Sequence, residues 1–391
     1  MERIPPTSPL KGVRVLELGS SVAGPAAGRL LADLGADVIK VEPPEGDHLR
    51  TWGVLAPDGT SWWFKAHNRN KRLVRFSLSD PQQAALVREL ALKCDVVLEN
   101  FRPGKLAEWG LGYDDLSKEK PDLIYVSVSG YGQSGPYSKR PGYGNVAESM
   151  GGLRYLTGYA DRPPVRLGVS LGDELAGMYA VIGTLAALRA RDRDGTGDYI
   201  DVALTESAIS LLEGTIPEYV HGGVVAERNG NRYLRAAPSN IYPTRDAKWL
   251  AIGGNGQGIF RRLVSAMGKR ELADDERFAS NRARMTNVAE LDDLIAAWTS
   301  QRDLSELDAL LAEAGVPAGP VMSVADICAD PHVRERGAVT TIPMEGGELT
   351  VAGLVPRLRN HPGRLTHAAG EVGAQHEEVL RELGLTEAAR Q

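Results

Sequence analysis

Short apolar runs alternate with helical stretches through the first half of the chain, and that rhythm limits the fold more than any other feature. Val13–Leu18 reads as a strand, followed by a Gly-Pro turn and a helical stretch at Ala26–Leu34. Gly35 ends that helix, and Val38–Val41 reads as the next strand, closed by Pro43 and Pro44. Pro81–Lys93 has helical spacing and leads into Val96–Leu98, and Leu123–Val128 is a further β-rich run. Such alternation predicts a mostly parallel sheet covered by helices on both faces. Ligands bind beyond the carboxyl ends of the strands in sheets of this kind. The loops to inspect are therefore Ser20–Pro25, Glu99–Gly104 and Ser129–Gly144.

The length of 391 residues suggests two domains. A long Ala-rich helix is predicted from about Asp173 to Arg191, stopped at Gly195 and Gly197, with a strand at Tyr199–Leu204 and a helix from Glu206 to Leu212. Gly, Arg and Asn then break the pattern between Gly222 and Asn240, which reads as a linker. A second, smaller unit begins with the strand Trp249–Ile252 and ends near Val321. Pro331 to Pro362 reads as irregular, and a short helix near Glu377–Leu383 closes the chain.

The formal charge of −6 implies no general polyanion-binding surface, so nucleic acid is not an expected partner. Cys94 and Cys328 form neither a disulfide framework nor a zinc ligand set, which suits a reducing cytosol. The N-terminus lacks a secretion-signal pattern. The apolar stretch Ala176–Leu188 is shorter than the ~20 residues that span a bilayer. A cytoplasmic protein with no membrane partner is expected.

Several motifs offer chemistry. Gly130-Tyr-Gly-Gln-Ser-Gly135 spells a dinucleotide fingerprint after a predicted strand. The fingerprint works only when a helix opens there and presents its N-terminus to a pyrophosphate. Pro136 to Pro141 follow instead, so a glycine-rich active-site loop is the better reading. The second cluster, Gly253-Gly-Asn-Gly-Gln-Gly258, is either a flexible strand-to-helix turn or a mobile lid. Asp173, at the start of the Ala-rich helix, is a natural N-cap. A carboxylate there can also be a covalent nucleophile, because a helix N-terminus favours its ionised form. The seven histidines fall in neither a GxSxG elbow nor a metal-spaced pair, and no metal site is expected.

These residues resemble the family III CoA-transferases, the CaiB/BaiF family. The likeness runs through Ala23-Gly-Pro25, Leu34–Pro44, Asn70-Lys-Arg72, Glu99–Gly104, Val126–Gly132, Tyr143–Gly152, Gly172-Asp173, Gly195–Val202 and Gly315–Met322. What it implies is a Rossmann-like large domain, 1–221, then the linker 222–240, a small α+β domain, 241–325, and a segment, 326–391, that returns to the large domain. It also implies an interlocked-ring homodimer with no tightly bound cofactor, taking acyl-CoA and a small carboxylic acid as substrates. Asp173 is the implied nucleophile, passing through an aspartyl anhydride and an aspartyl-CoA thioester. The implied CoA contacts are Val22, Ala23, Lys71, Leu73, Asn100, Phe101, Arg102 and Tyr143, with Gly253, Gly254, Asn255 and Gly256 as the lid. Glu108 departs from the basic residue many members carry there, and Lys105 is the expected substitute.

The same family includes α-methylacyl-CoA racemases, an alternative that needs an acid and a base flanking the α-carbon. Racemases place a histidine where Tyr143 stands, which favours the transferase reading. Val22 replaces a glutamine typical of formate and oxalate enzymes, and this points to a larger acid, a dicarboxylate such as succinate being the expected donor. Arg50, Arg166 and Arg235 are candidates to hold a second carboxylate, with no means in the sequence to choose among them.

Overall fold

The computed structural model describes residues 7–385. Six strands form one all-parallel sheet: β1 (Arg14–Glu17), β2 (Asp37–Glu42), β3 (Arg72–Arg75), β4 (Val96–Glu99), β5 (Ile124–Ser129) and β6 (Asp198–Ala203). Their spatial order is β3-β2-β1-β4-β5-β6, and every pairing is parallel. This is the doubly wound dinucleotide-fold order, whose direction reverses between β1 and β4. The connecting helices are α1 (Ala23–Asp33), α2 (Trp62–His67), α3 (Pro81–Leu92), α4 (Tyr113–Glu119), α5 (Gly144–Met150), α6 (Leu153–Leu156) and α7 (Leu171–Asp194), followed by α8 (Leu204–Ile209) and α9 (Thr215–Gly222).

Alternation within the strands builds two cores. Val15, Val96, Ile124 and Val126 point to one face and pack with Leu31 of α1 and Ala176 and Ala180 of α7. Leu16, Ile39, Val97 and Tyr125 point to the other, against Val87 and Leu90 of α3 and Val379 and Leu380 of the closing helix His376–Glu382. Burial on both faces explains why these strands read as unbroken apolar runs.

Helix α7 is longer than the sequence stretch suggested: 24 residues, with a mean hydropathy of 1.3 in its most apolar window. It has the length and composition to cross a bilayer, contrary to the expectation from Ala176–Leu188, but half of that window is buried inside the chain. Small residues bring α7 onto α1: a Cβ on Gly177 would stand 2.9 Å from Ala26 Cβ and 3.1 Å from the Ala23 carbonyl oxygen. Gly195 ends α7 at φ +73°, a left-handed cap that glycine adopts without steric strain.

The chain divides into two compact units. Among the described residues the first holds 7–154, 166–224 and 332–385, the second 155–165 and 225–331. The sequence reading placed 155–165 within the large domain. The segment joins the second unit instead, where the Gly158 carbonyl accepts the Gly230 amide and Arg228 donates to the Tyr155 and Tyr159 carbonyls. The second unit has an antiparallel sheet of β7 (Ser239–Pro243), β8 (Trp249–Gly253) and β9 (Ala318–Pro320). Its core includes Tyr242, Leu250, Phe260, Leu291 and Leu307. The stretch read as irregular contains an antiparallel hairpin of the first unit, β10 (Val339–Met344) and β11 (Gly347–Ala352), turned at Glu345-Gly346 with Gly346 at φ +77°. Its prolines obscured a Val-Thr-Thr-Ile run that pairs with Leu-Thr-Val across the two-residue Glu-Gly turn.

Candidate active site

A cavity of about 260 Å³ opens at the reversal point of the large sheet. Its walls come from the three loops singled out above: Ser20–Ala23 after β1, Asn100–Pro103 after β4, and Ser129–Gly130 with Arg140–Tyr143 after β5. Asp173, His48, Val128 and Leu204 complete it. A second recess of about 270 Å³ shares Ser20, His48 and Phe101 with the first and continues along Pro43–Asp47 and Phe76–Ser79.

The turn after β1 is held from behind. Ser21 sits at φ +62°, a strained conformation for a residue with a Cβ, and its amide donates to both Asp47 carboxylate oxygens at 3.1 and 3.2 Å. Lys40 Nζ donates to the Gly19 carbonyl at 2.7 Å. Asn100 clamps Ser20, accepting its N–H and donating to its carbonyl, both at 2.9 Å. His67 Nε2 lies 3.0 Å from the Val22 carbonyl oxygen. Burial, with Lys71 nearby, pushes the His67 imidazole down to about 3, so the ring is neutral and donates through Nε2–H.

Beneath this turn lies an ionic cluster in which Glu17, Glu42 and Asp47 face Lys40, Lys71 and Arg50. Burial works to lower the Lys40 ammonium, but Glu17, Asp47 and Glu42 outweigh it and hold Lys40 above its ordinary range. Burial lowers Lys71 to about 8, with Glu17 opposing. Gly28 exists to make room: a Cβ there would overlap Glu17 Oε2 at 1.8 Å.

Two expected CoA contacts belong to this interior and not to the cavity. Lys71 is buried, its ammonium shared among Glu17, Asn68 and the Pro25 carbonyl at 2.7–2.8 Å, leaving nothing to offer a phosphate. Leu73 is fully buried in β3 against Leu49 and Phe64, and its backbone N–H and C=O are both taken by Gln375. Lys105 lies outside the cavity lining, pairing with Glu108 at 2.7 Å and stacking on Trp109. Val22, Ala23, Asn100, Phe101, Arg102 and Tyr143 do line it together with Asp173. Phe101 is fixed by Glu99, whose carboxyl accepts the Phe101 amide at 2.7 Å and is raised to about 7 by burial.

Asp173 is the third residue of α7 and does not occupy the N-cap position read from the sequence; that position is Ser170, which makes no side-chain cap hydrogen bond. Its carboxylate lies over the first residue of α5, where a Cβ on Gly144 would stand 2.0 Å from Asp173 Oδ2. Four residues on, on the same face of α5, Glu148 accepts the Gly172 amide at 3.1 Å. Burial, then Glu148 and Glu174, raise Asp173 to about 6, against the pull of Arg166. The helix-terminus effect invoked from sequence is outweighed by desolvation and like charge. Glu148 and His48 were missed in the sequence; the readable sign of Glu148 was a lone acid four residues after Gly144 in an otherwise small, neutral stretch.

Gly130 does not open a helix. It follows β5 directly and packs on Gly142, where a Cβ would stand 2.9 Å from Gly142 Cα, and the chain stays irregular until α5. In the second unit, Gly253 ends β8 and Gly256 caps α10 (Gln257–Ala266), leaving only Gly254-Asn255 between. Arg284 pins this turn through the Asn255 carbonyl at 3.0 Å and Gln257 at 2.8 Å.

A half-buried carboxylate, raised to about 6, lines a cavity at the reversal point of a parallel sheet, which marks a candidate enzyme site; the sequence comparison supplies the class. Residues 10–376 match the family described as CoA-transferase family III, and the chain belongs to that family. It is a CoA-transferase, using CoA thioesters as substrates. It is 46% identical over 98% of its length to succinyl-CoA–D-citramalate CoA-transferase of Chloroflexus aurantiacus, covering 96% of that protein. It is 38% identical to succinate–glutarate CoA-transferase of Agrobacterium fabrum, covering 96% of both chains. A CaiB/BaiF family protein from Brucella suis superposes with a TM-score of 0.86 at 38% identity, over 96% of this chain and 100% of that one.

Proposed function

We propose that this enzyme moves CoA from succinyl-CoA, or a close dicarboxylyl-CoA, to a second carboxylic acid, with Asp173 as the covalent carrier. Asp173 Oδ attacks the thioester carbonyl, the C–S bond breaks, and CoA leaves as thiolate, giving an aspartyl-succinyl anhydride. The thiolate attacks the aspartyl carbonyl, the anhydride C–O bond breaks, and succinate departs from an aspartyl-CoA thioester. The acceptor carboxylate then attacks that thioester and releases the thiolate, which takes the acceptor's acyl carbon and regenerates Asp173. The carboxylate thus preserves the thioester's free energy in covalent form while the acids exchange.

The observation that carries this reading is a partly buried Asp173 carboxylate at the cavity wall, raised to about 6 and stripped of competing side chain by Gly144. Desolvation raises the nucleophilicity of such a group, while at pH 7 most of it remains ionised. The relatives named above supply the donor class. The two joined recesses give an extended thioester room beyond the reacting end. An acid and a base flanking one carbon, as racemization needs, have no counterpart in the hydrogen bonding of Tyr143, which is largely exposed. Exposed apolar side chains on α7 (Met178, Ile182) and α9 (Tyr219, Val220) support a homodimer, which light scattering of the purified chain would show.

The test is mass spectrometry after incubation with succinyl-CoA. An adduct of CoA on the peptide containing Asp173, absent in Asp173→Ala, together with a loss of turnover of about 10⁴-fold in that variant, is expected. Residual turnover near wild type in Asp173→Ala would sink the mechanism. The rate should also fall as pH drops through about 6, where the nucleophile takes up a proton.

A further inference from the structure

Three arginines were open candidates for a second carboxylate, and the fold separates them. Arg50 is consumed: Nε and Nη2 both donate to Glu42 at 2.7 Å, and Nη1 to the Gly370 carbonyl. Arg235 belongs to the second unit. Arg166 remains, and it is joined by Arg154, which the sequence did not single out. The chain leaves the first unit at Arg154 and re-enters it at Arg166, so the two guanidiniums return to one place. Both converge on Glu148 Oε2, at 3.8 and 4.0 Å, distances too long for hydrogen bonds. Arg154 Nε is buried with no hydrogen-bond partner. Glu148 in turn bonds the amide of Gly172, the residue before Asp173.

We infer that Arg154 and Arg166 form the subsite for the distal carboxylate of a dicarboxylyl group carried on Asp173. The assignment rests on the reading of Asp173 as acyl carrier for a dicarboxylyl-CoA, and it adds the residues that select that class. Charge bookkeeping supports it. In the resting enzyme both guanidiniums face Glu148, and Arg166 also acts on Asp173, where Glu148 and Glu174 are the opposing acids. Acylation converts the Asp173 carboxylate to an uncharged anhydride, removing one negative charge from beside Arg166. A succinyl group brings a carboxylate two methylenes away and restores the balance. A monocarboxylyl group does not, and it leaves guanidinium donors unpaired, where guanidinium–carboxylate hydrogen bonds are among the stronger polar contacts. Glu148 acts here as a positioning residue that keeps both guanidiniums near Asp173 without saturating them.

Succinyl-CoA and butyryl-CoA have the same carbon count and differ in the terminal carboxylate. The experiment measures single-turnover formation of the Asp173 adduct from each donor by mass spectrometry, for wild type, Arg166→Ala, Arg166→Lys and Arg154→Ala. The ratio of the succinyl-CoA rate to the butyryl-CoA rate should fall about 30- to 100-fold in Arg166→Ala, the equivalent of one lost charged hydrogen-bond pair. Arg166→Lys should recover part of it, and Arg154→Ala should lower it in the same direction. A ratio unchanged from wild type in both alanine variants, with the adduct still forming, overturns the subsite and leaves the Asp173 mechanism standing. No Asp173 adduct in wild type from either donor overturns that mechanism and the subsite with it.

Discussion

Behind the Gly19–Val22 turn, Glu17 and Asp47 meet Lys40 at 3.0 Å, Glu17 meets Lys71 at 2.7 Å, and Glu42 meets Arg50 at 2.7 Å. Around Asp173, Glu148 faces Arg154 and Arg166 at 3.8 and 4.0 Å, and the Asp173 carboxylate rests against a bare glycine. Both groups serve walls of one cavity, yet the first is closed and the second open. In the closed group every charge has a short partner and the turn above it is held by hydrogen bonds; in the open group the partners stand off, and a carboxylate is left raised. On the proposed mechanism the chemistry belongs to the open group, in keeping with the desolvation that active sites retain.

The strongest way to break that contrast is Lys40→Met. It removes the cation shared by Glu17 and Asp47 and leaves a buried carboxylate uncompensated, so stability should drop by about 3–5 kcal/mol in urea denaturation. A drop below about 1 kcal/mol would mean that the cluster is not closed.

Asp173→Asn should do the opposite. The Asp173 carboxyl titrates near 6 in the fold against an ordinary 3.8, so above pH 6 its ionised form is disfavoured in the folded state relative to the unfolded. That penalty is fully present at neutral pH and is relieved as pH falls from 6 toward 3.8, where the folded form binds the extra proton. The asparagine variant should therefore be more stable than wild type by about 1–3 kcal/mol at pH 7.5, with the gap closing toward pH 4. Equal stability at both pH values would show that the site carries no desolvation penalty.

The smallest effect is expected outside both clusters. Lys105→Ala removes an exposed pair with Glu108, and melting should place its stability within about 0.5 kcal/mol of wild type. A larger change would give Lys105 a part that its exposed position does not suggest.

Much of the frame was legible because it depends on neighbours in sequence. Apolar runs bounded by Gly and Pro marked β1, β2, β4, β5 and β6, and the rule for parallel sheets led to the three loops that line the cavity. The hairpin β10–β11 was hidden by its prolines, and the tie of 155–165 to the second unit depends on Gly230 and Arg228, some seventy residues away. Lys71 and Leu73 were misplaced because sequence likeness locates a segment but not which of its side chains turn inward.

The sequence by itself determined a doubly wound sheet, the loops that form its functional edge and a candidate carboxylate at Asp173, since periodicity, turn residues and motif order are local properties of the chain. Only the tertiary structure decided which ionisable groups are paired and which are left open. It spent Lys71 and Arg50 on the interior, brought Arg154 and Arg166 to Glu148, and set Asp173 against Gly144. The physical reason is that a charge's behaviour depends on burial and on distances to groups far along the chain, and folding alone fixes those distances.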